Sequence, residues 1–230
     1  MKRIVQPELL DALPPDDRRA LRSRRDLRRI NAIMRNHTIL AGALRATSGS
    51  NFPKQITELG AGDGRLLLRV AENLAPIWPL VNVTLLDHQP TVDAATRAGF
   101  AALGWPADEI VGDVFAWSDE QNLSVDAVVT NLFLHHLRDE QLVALFKVIA
   151  RRGRVLVAVE PRRAAWPLFC SRWLWLLGCN AVTCYDAKIS VRAGFSGCEL
   201  SALWPDRDDW RLSEVRAGPF SHLFVARRKE

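Results

Sequence analysis

Ile56-Thr57-Glu58-Leu59-Gly60-Ala61-Gly62-Asp63-Gly64 is the stretch that decides the fold. A short apolar run ends in an acid and a glycine-rich turn, and the helical pattern of residues 65–75 comes directly after it. Glycines permit backbone conformations that other residues resist and let a ligand come close to the main chain. A turn of this kind beyond the carboxyl end of a first strand is where open α/β sheets bind ligands. The dinucleotide fingerprint G-x-G-x-x-G fails, because the sixth position counted from Gly60 is Arg65. No G-x-x-x-x-G-K-[ST] phosphate loop occurs either. Glu58 at the strand end suits a cationic ligand without a pyrophosphate, which argues against NAD.

Outward from this stretch the pattern alternates. Strands are expected at 55–59, 81–86, 109–111, 125–130 and 154–159, with helices at 65–75, 90–103 and 139–150 between them. Such alternation implies βαβ crossovers and a parallel sheet. Ser196-Gly197-Cys198-Glu199 has the spacing of a capping box, so a helix is expected to start there and stop before Pro205. Residues 210–215 and 222–226, joined through Gly218-Pro219, read as a hairpin and so must run antiparallel. The expected fold class is α/β, a doubly wound, mostly parallel, seven-stranded sheet with one antiparallel strand near the C-terminus, plus an N-terminal helical arm.

Four pieces of the chain, in order, resemble the class I S-adenosylmethionine-dependent methyltransferases, over roughly residues 54–228. Glu58–Gly64 is similar to the first motif of that family. Asp87, closing Val83-Thr84-Leu85-Leu86-Asp87, resembles the acid after the second strand, whose carboxylate accepts bonds from ribose hydroxyls. Gly112-Asp113-Val114-Phe115 resembles the segment that meets adenine. Thr130-Asn131-Leu132-Phe133-Leu134-His135-His136-Leu137 resembles the end of the fourth strand, near the methionine amino group. The resemblance implies S-adenosyl-L-methionine as cofactor. It implies a binding set of Glu58, Gly60, Ala61, Gly62, Gly64, Asp87, His88, Asp113, Val114, Asn131 and Leu132.

The acceptor class is read from the residues just past the fourth strand. Amino-modifying DNA enzymes of this fold carry [DN]-P-P-[YFW] there; this chain has Asn131-Leu132-Phe133-Leu134. None of the four cysteines (170, 179, 184, 198) comes after a proline, as a nucleophilic RNA cytosine methyltransferase would require. The Leu-His-His-Leu run resembles small-molecule methyltransferases. His135 and His136 are therefore the candidate catalytic bases, since an oxygen nucleophile calls for a group that titrates near neutrality. Glu160 and Asp186 are weaker candidates. No metal is expected. An apolar or aromatic acceptor is expected, with O-methylation ahead of C-methylation, and Arg162, Arg163 and Arg192 could hold its carboxylate or phenolate.

Charge divides the chain unevenly. Residues 1–50 hold 11 Lys/Arg against 5 Asp/Glu, whereas the remaining 180 residues are close to neutral. The expected organisation is a basic helical arm over 1–50, helical from 8 to 46 and acting as a lid, and then the cofactor-binding domain over 51–230. Removal of 1–46 is expected to leave the α/β core folded. The arm also supports a rival reading as an RNA methyltransferase, and a non-catalytic cofactor-binding scaffold is a second rival. Nucleic acid is nevertheless not the expected partner. The apolar stretch 164–182 is interrupted by Pro167, Arg172 and Asn180, so it reads as a pocket wall or buried helix and not a membrane span. The charged amino terminus leads into no apolar h-region, which points to a cytoplasmic protein.

Overall fold

The computed structural model describes residues 1–14, 16–48, 52–117 and 125–229. Pro15 and residues 49–51 therefore lie outside the described residues. In chain order the elements are α1 (Arg18–Met34), α2 (Asn36–Ser48), β1 (Gln55–Leu59), α3 (Arg65–Leu74), β2 (Asn82–Asp87), α4 (Ala94–Ala102), β3 (Ala107–Val111), α5 (Val114–Trp117) and β4 (Val125–Asn131). They continue with α6 (Asp139–Arg152), β5 (Gly153–Pro161), α7 (Ala165–Ser171), α8 (Ala181–Ala193), α9 (Glu199–Leu203), β6 (Trp210–Ala217) and β7 (Ser221–Arg228).

Among the described residues, seven strands form one sheet in the order β3-β2-β1-β4-β5-β7-β6. The β1–β2, β1–β4, β2–β3 and β4–β5 pairs are parallel, and β7 runs antiparallel to both β5 and β6. The strand order reverses between β1 and β4, which puts a crevice at their carboxyl ends. Successive residues on β5 serve opposite faces. Val157 and Val159 join the core beneath α2 and α3, while Leu156 and Ala158 join the core with Leu145 and Phe146 of α6. A sheet buried on both faces needs near-continuous apolar strands, which is why 125–130 and 155–159 read so strongly.

Boundaries shift where a side chain competes with the local pattern. The second crossover helix starts at Ala94 and not at Pro90, because Asp93 accepts the Thr96 amide (2.7 Å) and caps it there. Of the capping box at 196–199 only half forms. The Glu199 carboxylate accepts the Ser196 amide (3.1 Å), but the Ser196 hydroxyl is taken by Arg163.

The segment expected to be helical from 8 to 46 has three parts. The described residues before Asp17 form an irregular strap. Asp17 caps α1 by accepting the Arg19 amide (2.7 Å), and Arg35, at φ 56°, breaks α1 from α2. Helix α2 packs Leu40, Ala41 and Leu44 into the same core as Leu67 and Val70 of α3. The strap is fastened along its length. Arg3 donates to the Ala193 and Leu137 carbonyls and pairs with Asp139, and the amides of Leu9 and Leu10 donate to the Asp186 carboxylate (2.8 and 3.0 Å). Asp186, a weaker catalytic candidate in the sequence, thus holds the strap.

Candidate active site

A cleft of about 1400 Å³ opens over the β1–β4 crevice, between the glycine turn and α1. Of the residues singled out for the cofactor, Glu58, Gly60, Ala61, Gly62, Asp87, His88, Asn131 and Leu132 line it. Gly60 adopts φ +70°, and a Cβ there would sit 2.4 Å from the Phe133 ring, so glycine is required on both counts. The Gly62 amide donates to Asp87 Oδ2 (2.8 Å), and the amides of Gly60 and Ala61 donate to the Leu86 carbonyl. The turn is therefore tied to the end of β2 before any ligand arrives.

Three members of the set do not line the cleft. Gly64 takes φ +69° as the N-cap of α3, with Leu85 against its Cβ position. Asp113 turns back to accept the Phe115 amide (2.6 Å), and Val114 begins the short helix α5. These three shape or adjoin the neighbouring turns.

Glu58 is buried, and its Oε2 has no hydrogen-bond partner. Burial, reinforced by the negative charges of Asp63 and Asp87, pushes its pKa well above the usual carboxylate range. A buried acceptor left unmatched in a cleft wall is suited to a cationic or hydrogen-bond-donating ligand.

Helix α1 closes the cleft from above. Arg28 pairs with Asp63 in the glycine turn (2.7 Å), and Arg24 donates to Gln89, two residues past Asp87 (2.6 Å). Asn31 and Asn36 meet Asn131 at the end of β4. Asn36 Nδ2 donates to Asn131 Oδ1 (2.8 Å) and Asn131 Nδ2 to Asn31 Oδ1 (3.3 Å). Sequence reasoning missed this asparagine cluster, whose partners lie about a hundred residues apart. In the sequence, Asn31 and Asn36 are two polar residues inside a segment read as continuous helix, with nothing to link them to Asn131.

The two histidines part company. His135 is buried between two carboxylates, with Nδ1 2.8 Å from Glu160 and Nε2 3.3 Å from Glu8 of the strap. Burial alone would lower its pKa, but the hydrogen bonds to Glu160 and Glu8 outweigh that and push it up to about 9. Both nitrogens of His135 are thus engaged, and neither His135 nor His136 belongs to the cleft lining. His136 is half-buried and meets Asp11, a residue of the cleft wall, at Nδ1 (3.3 Å). The ligating atoms of Glu8, His135 and His136 lie within 4.8 Å of one another.

Glu160 is a structural acid. It accepts the amides of Phe133 (3.1 Å), Leu134 (2.9 Å) and His135 (3.3 Å) as well as the His135 ring, and so orders the turn after β4. Arg163 is likewise buried in structure, donating to the Met1 and Gly194 carbonyls and pairing with Glu199. Arg162 donates its backbone amide to the Phe220 carbonyl and its guanidinium to the Pro219 carbonyl. Neither Arg162, Arg163 nor Arg192 lines the cleft.

The His135 cluster has a pH signature. Its folded pKa is raised above the value near 6.5 of an unperturbed histidine, so its contribution is complete below about pH 6.5 and is lost as pH rises through about 9. A shift of this size corresponds to something on the order of 3 kcal/mol. The wild-type urea midpoint should fall between about pH 6 and about pH 9, while that of His135→Gln should start lower and change much less. Parallel pH dependences in the two proteins would assign the loss to other groups.

Residues 56–154 match the family model described as a methyltransferase domain. That match begins in β1, just before the glycine turn, and ends in β5. Over that segment the chain is similar to methyltransferase domains. Solved methyltransferases share the fold across nearly the whole chain. The plantazolicin methyltransferase BpumL in complex with SAH superposes with a TM-score of 0.68 at 13% identity, covering 93% of this chain and 92% of that one. The mitomycin 7-O-methyltransferase MmcR gives 0.62 at 18% identity, covering 96% of this chain and 60% of that one. An O-methyltransferase family protein from Burkholderia thailandensis gives 0.63 at 15%, covering 94% and 61%. No curated protein matches the sequence.

Proposed function

We propose that this methyltransferase transfers a methyl group from S-adenosylmethionine to a small, apolar or aromatic acceptor, with oxygen preferred over carbon as the atom methylated. The observation that carries the cofactor assignment is the buried Glu58 carboxylate, whose Oε2 has no hydrogen-bond partner, in the same cleft lining as Asp87. When bound, S-adenosylmethionine supplies an electrophilic sulfonium methyl. Glu58 and the Asn131–Leu132 strand end would hold its methionine portion, and Asp87 its ribose hydroxyls, with the glycine turn giving close backbone approach. The complexes with SAH among its structural neighbours support the same reading.

Methyl transfer asks the protein mainly to position the nucleophile and exclude water. Helix α1 serves as the lid, latched through Arg28 to Asp63 and through Arg24 to Gln89. These two arginines are engaged with the domain, which disfavours the basic arm as a phosphate grip. We assign the acceptor's proton to His136, beside Asp11 of the cleft wall, in place of His135. The mitomycin 7-O-methyltransferase among the neighbours supports an oxygen acceptor.

Isothermal calorimetry tests the cofactor site. Asp87→Ala should weaken S-adenosylhomocysteine binding by about 1–3 kcal/mol, the range for a lost charged hydrogen-bond partner. That is roughly 5- to 150-fold in Kd. Unchanged affinity would remove Asp87 from the ribose site. For the acceptor, labelled methyl transfer to phenolic and other aromatic compounds is the expected result. Labelling confined to RNA would defeat this assignment.

A further inference from the structure

The composition of the tryptophan-rich segment after β5 suggests a pocket wall or a buried helix. The segment is neither. Trp166, Phe169, Trp173, Trp175, Leu176 and Leu177 are between 48% and 62% exposed, and none of them lines the cleft. The rings of Trp166, Phe169, Trp173 and Trp175 touch in sequence, with centroids 6.0, 6.2 and 6.3 Å apart. They therefore form one continuous patch and not scattered apolar residues. Large exposed patches of this kind mark interaction sites, and tryptophan is the residue favoured at a membrane–water interface.

A second, independent observation says what covers it. Helix α1 lies against α8 beside the patch. Arg22 donates to the Gly178 carbonyl (3.2 Å), and Asn180 Nδ2 donates to the Arg19 carbonyl (2.9 Å). Arg18, Arg22, Arg25 and Arg29 recur at helical spacing and share one face of α1. All four are exposed and also belong to the cleft lining, at its outer rim. Arg24 and Arg28, which bond Gln89 and Asp63, occupy another face. Arg172, also exposed, sits within the patch itself. An aromatic surface flanked by a row of guanidinium groups complements a bilayer whose headgroups are anionic and whose acyl boundary is apolar.

We propose that the surface formed by residues 166–177 and the Arg18/Arg22/Arg25/Arg29 face of α1 docks peripherally on anionic membranes. The tryptophans enter the headgroup boundary and the arginines meet the lipid phosphates. No helix among the described residues is long and apolar enough to cross a membrane, so the attachment is to one leaflet. The cleft lining reaches Gly178 and Asn180, at the edge of the patch. Docking would thus hold the cleft mouth beside the lipid surface. The docking stands on the surface alone and not on the identity of the acceptor.

Cosedimentation of the full chain with vesicles tests this without cofactor or acceptor. Binding is expected to vesicles of phosphatidylcholine mixed with phosphatidylglycerol and to be much weaker with phosphatidylcholine alone. It should fall with added salt, because surface charges are screened. Replacing Trp166, Trp173 and Trp175 together with Gln should reduce binding more than about tenfold, since interfacial anchoring scales with the apolar area buried. Arg18→Gln with Arg25→Gln should reduce it about fivefold per arginine. The replaced side chains are exposed, so circular dichroism should show both variants folded. No binding to phosphatidylglycerol vesicles, or equal binding by the tryptophan variant, overturns the proposal. So does a concentration-dependent dimer that the tryptophan variant abolishes while vesicles leave the protein in solution; the patch would then join two copies of this chain.

Discussion

Glu160→Ala is expected to lower stability by about 3–5 kcal/mol, the cost of removing one partner of a buried ion pair. The side chain is buried and gathers five donors: the Thr130 hydroxyl, three successive backbone amides after β4 and the ring of His135. Without it, those amides face an apolar core, and the protonated imidazole keeps only Glu8. Native stabilities of about 5–15 kcal/mol leave little margin for such a loss. Glu160→Gln separates the causes, because its amide oxygen still accepts hydrogen bonds while the charge is gone. It should fall between wild type and Ala in urea melts, and it should bring the His135 pKa down. An Ala variant with a wild-type midpoint would show that the turn after β4 holds itself. A Gln variant equal to Ala would assign the whole effect to charge.

The reading of the sequence reached the sheet, its alternation of strands and helices and the glycine turn because these are written in contiguous residues. An apolar run, a strand-end acid and three glycines are local signals. The roles of Glu160 and Asp186 are not local. Each is an acid near a strand end or on a helix, and nothing in the neighbouring sequence says whether it faces a substrate or a ring of amides. The histidine pair shows the same limit. Adjacent residues, identical in type, differ in surroundings because His135 turns inward to Glu160 and Glu8 while His136 meets Asp11 at the cleft wall. Composition also misled for the tryptophans. Their number suggested burial, but the short helical pieces at 165–171 and 174–177 turn them to solvent.

The amino-terminal segment yields the second large effect. Charge alone drew residues 1–50 as a unit apart from the domain, since arginines dominate its first two-thirds. The apolar spacing of Leu40 and Leu44 behind them belongs to a different role. Both side chains are buried in the core with α3, and Asn36 of the same helix is bonded to Asn131 and Ser221. Deleting residues 1–46 should therefore abolish cooperative folding. Each buried leucine is worth about 2–5 kcal/mol, and together they approach the whole stability of a domain this size. Deleting residues 1–17 should act differently. It removes Arg3 and Glu8 and so weakens the tie to His135, but it leaves α1 over the cleft and α2 in the core. That shorter deletion should retain a cooperative urea transition at a lower midpoint. It should also lose much of the decline between about pH 6 and about pH 9, because Glu8 no longer helps hold the proton on His135. Near-ultraviolet circular dichroism and urea titration of the two truncations decide the matter. If the 1–46 deletion keeps the near-ultraviolet spectrum and midpoint of the full chain, α2 is dispensable to the core, and the arm is a separable lid as its charge suggested.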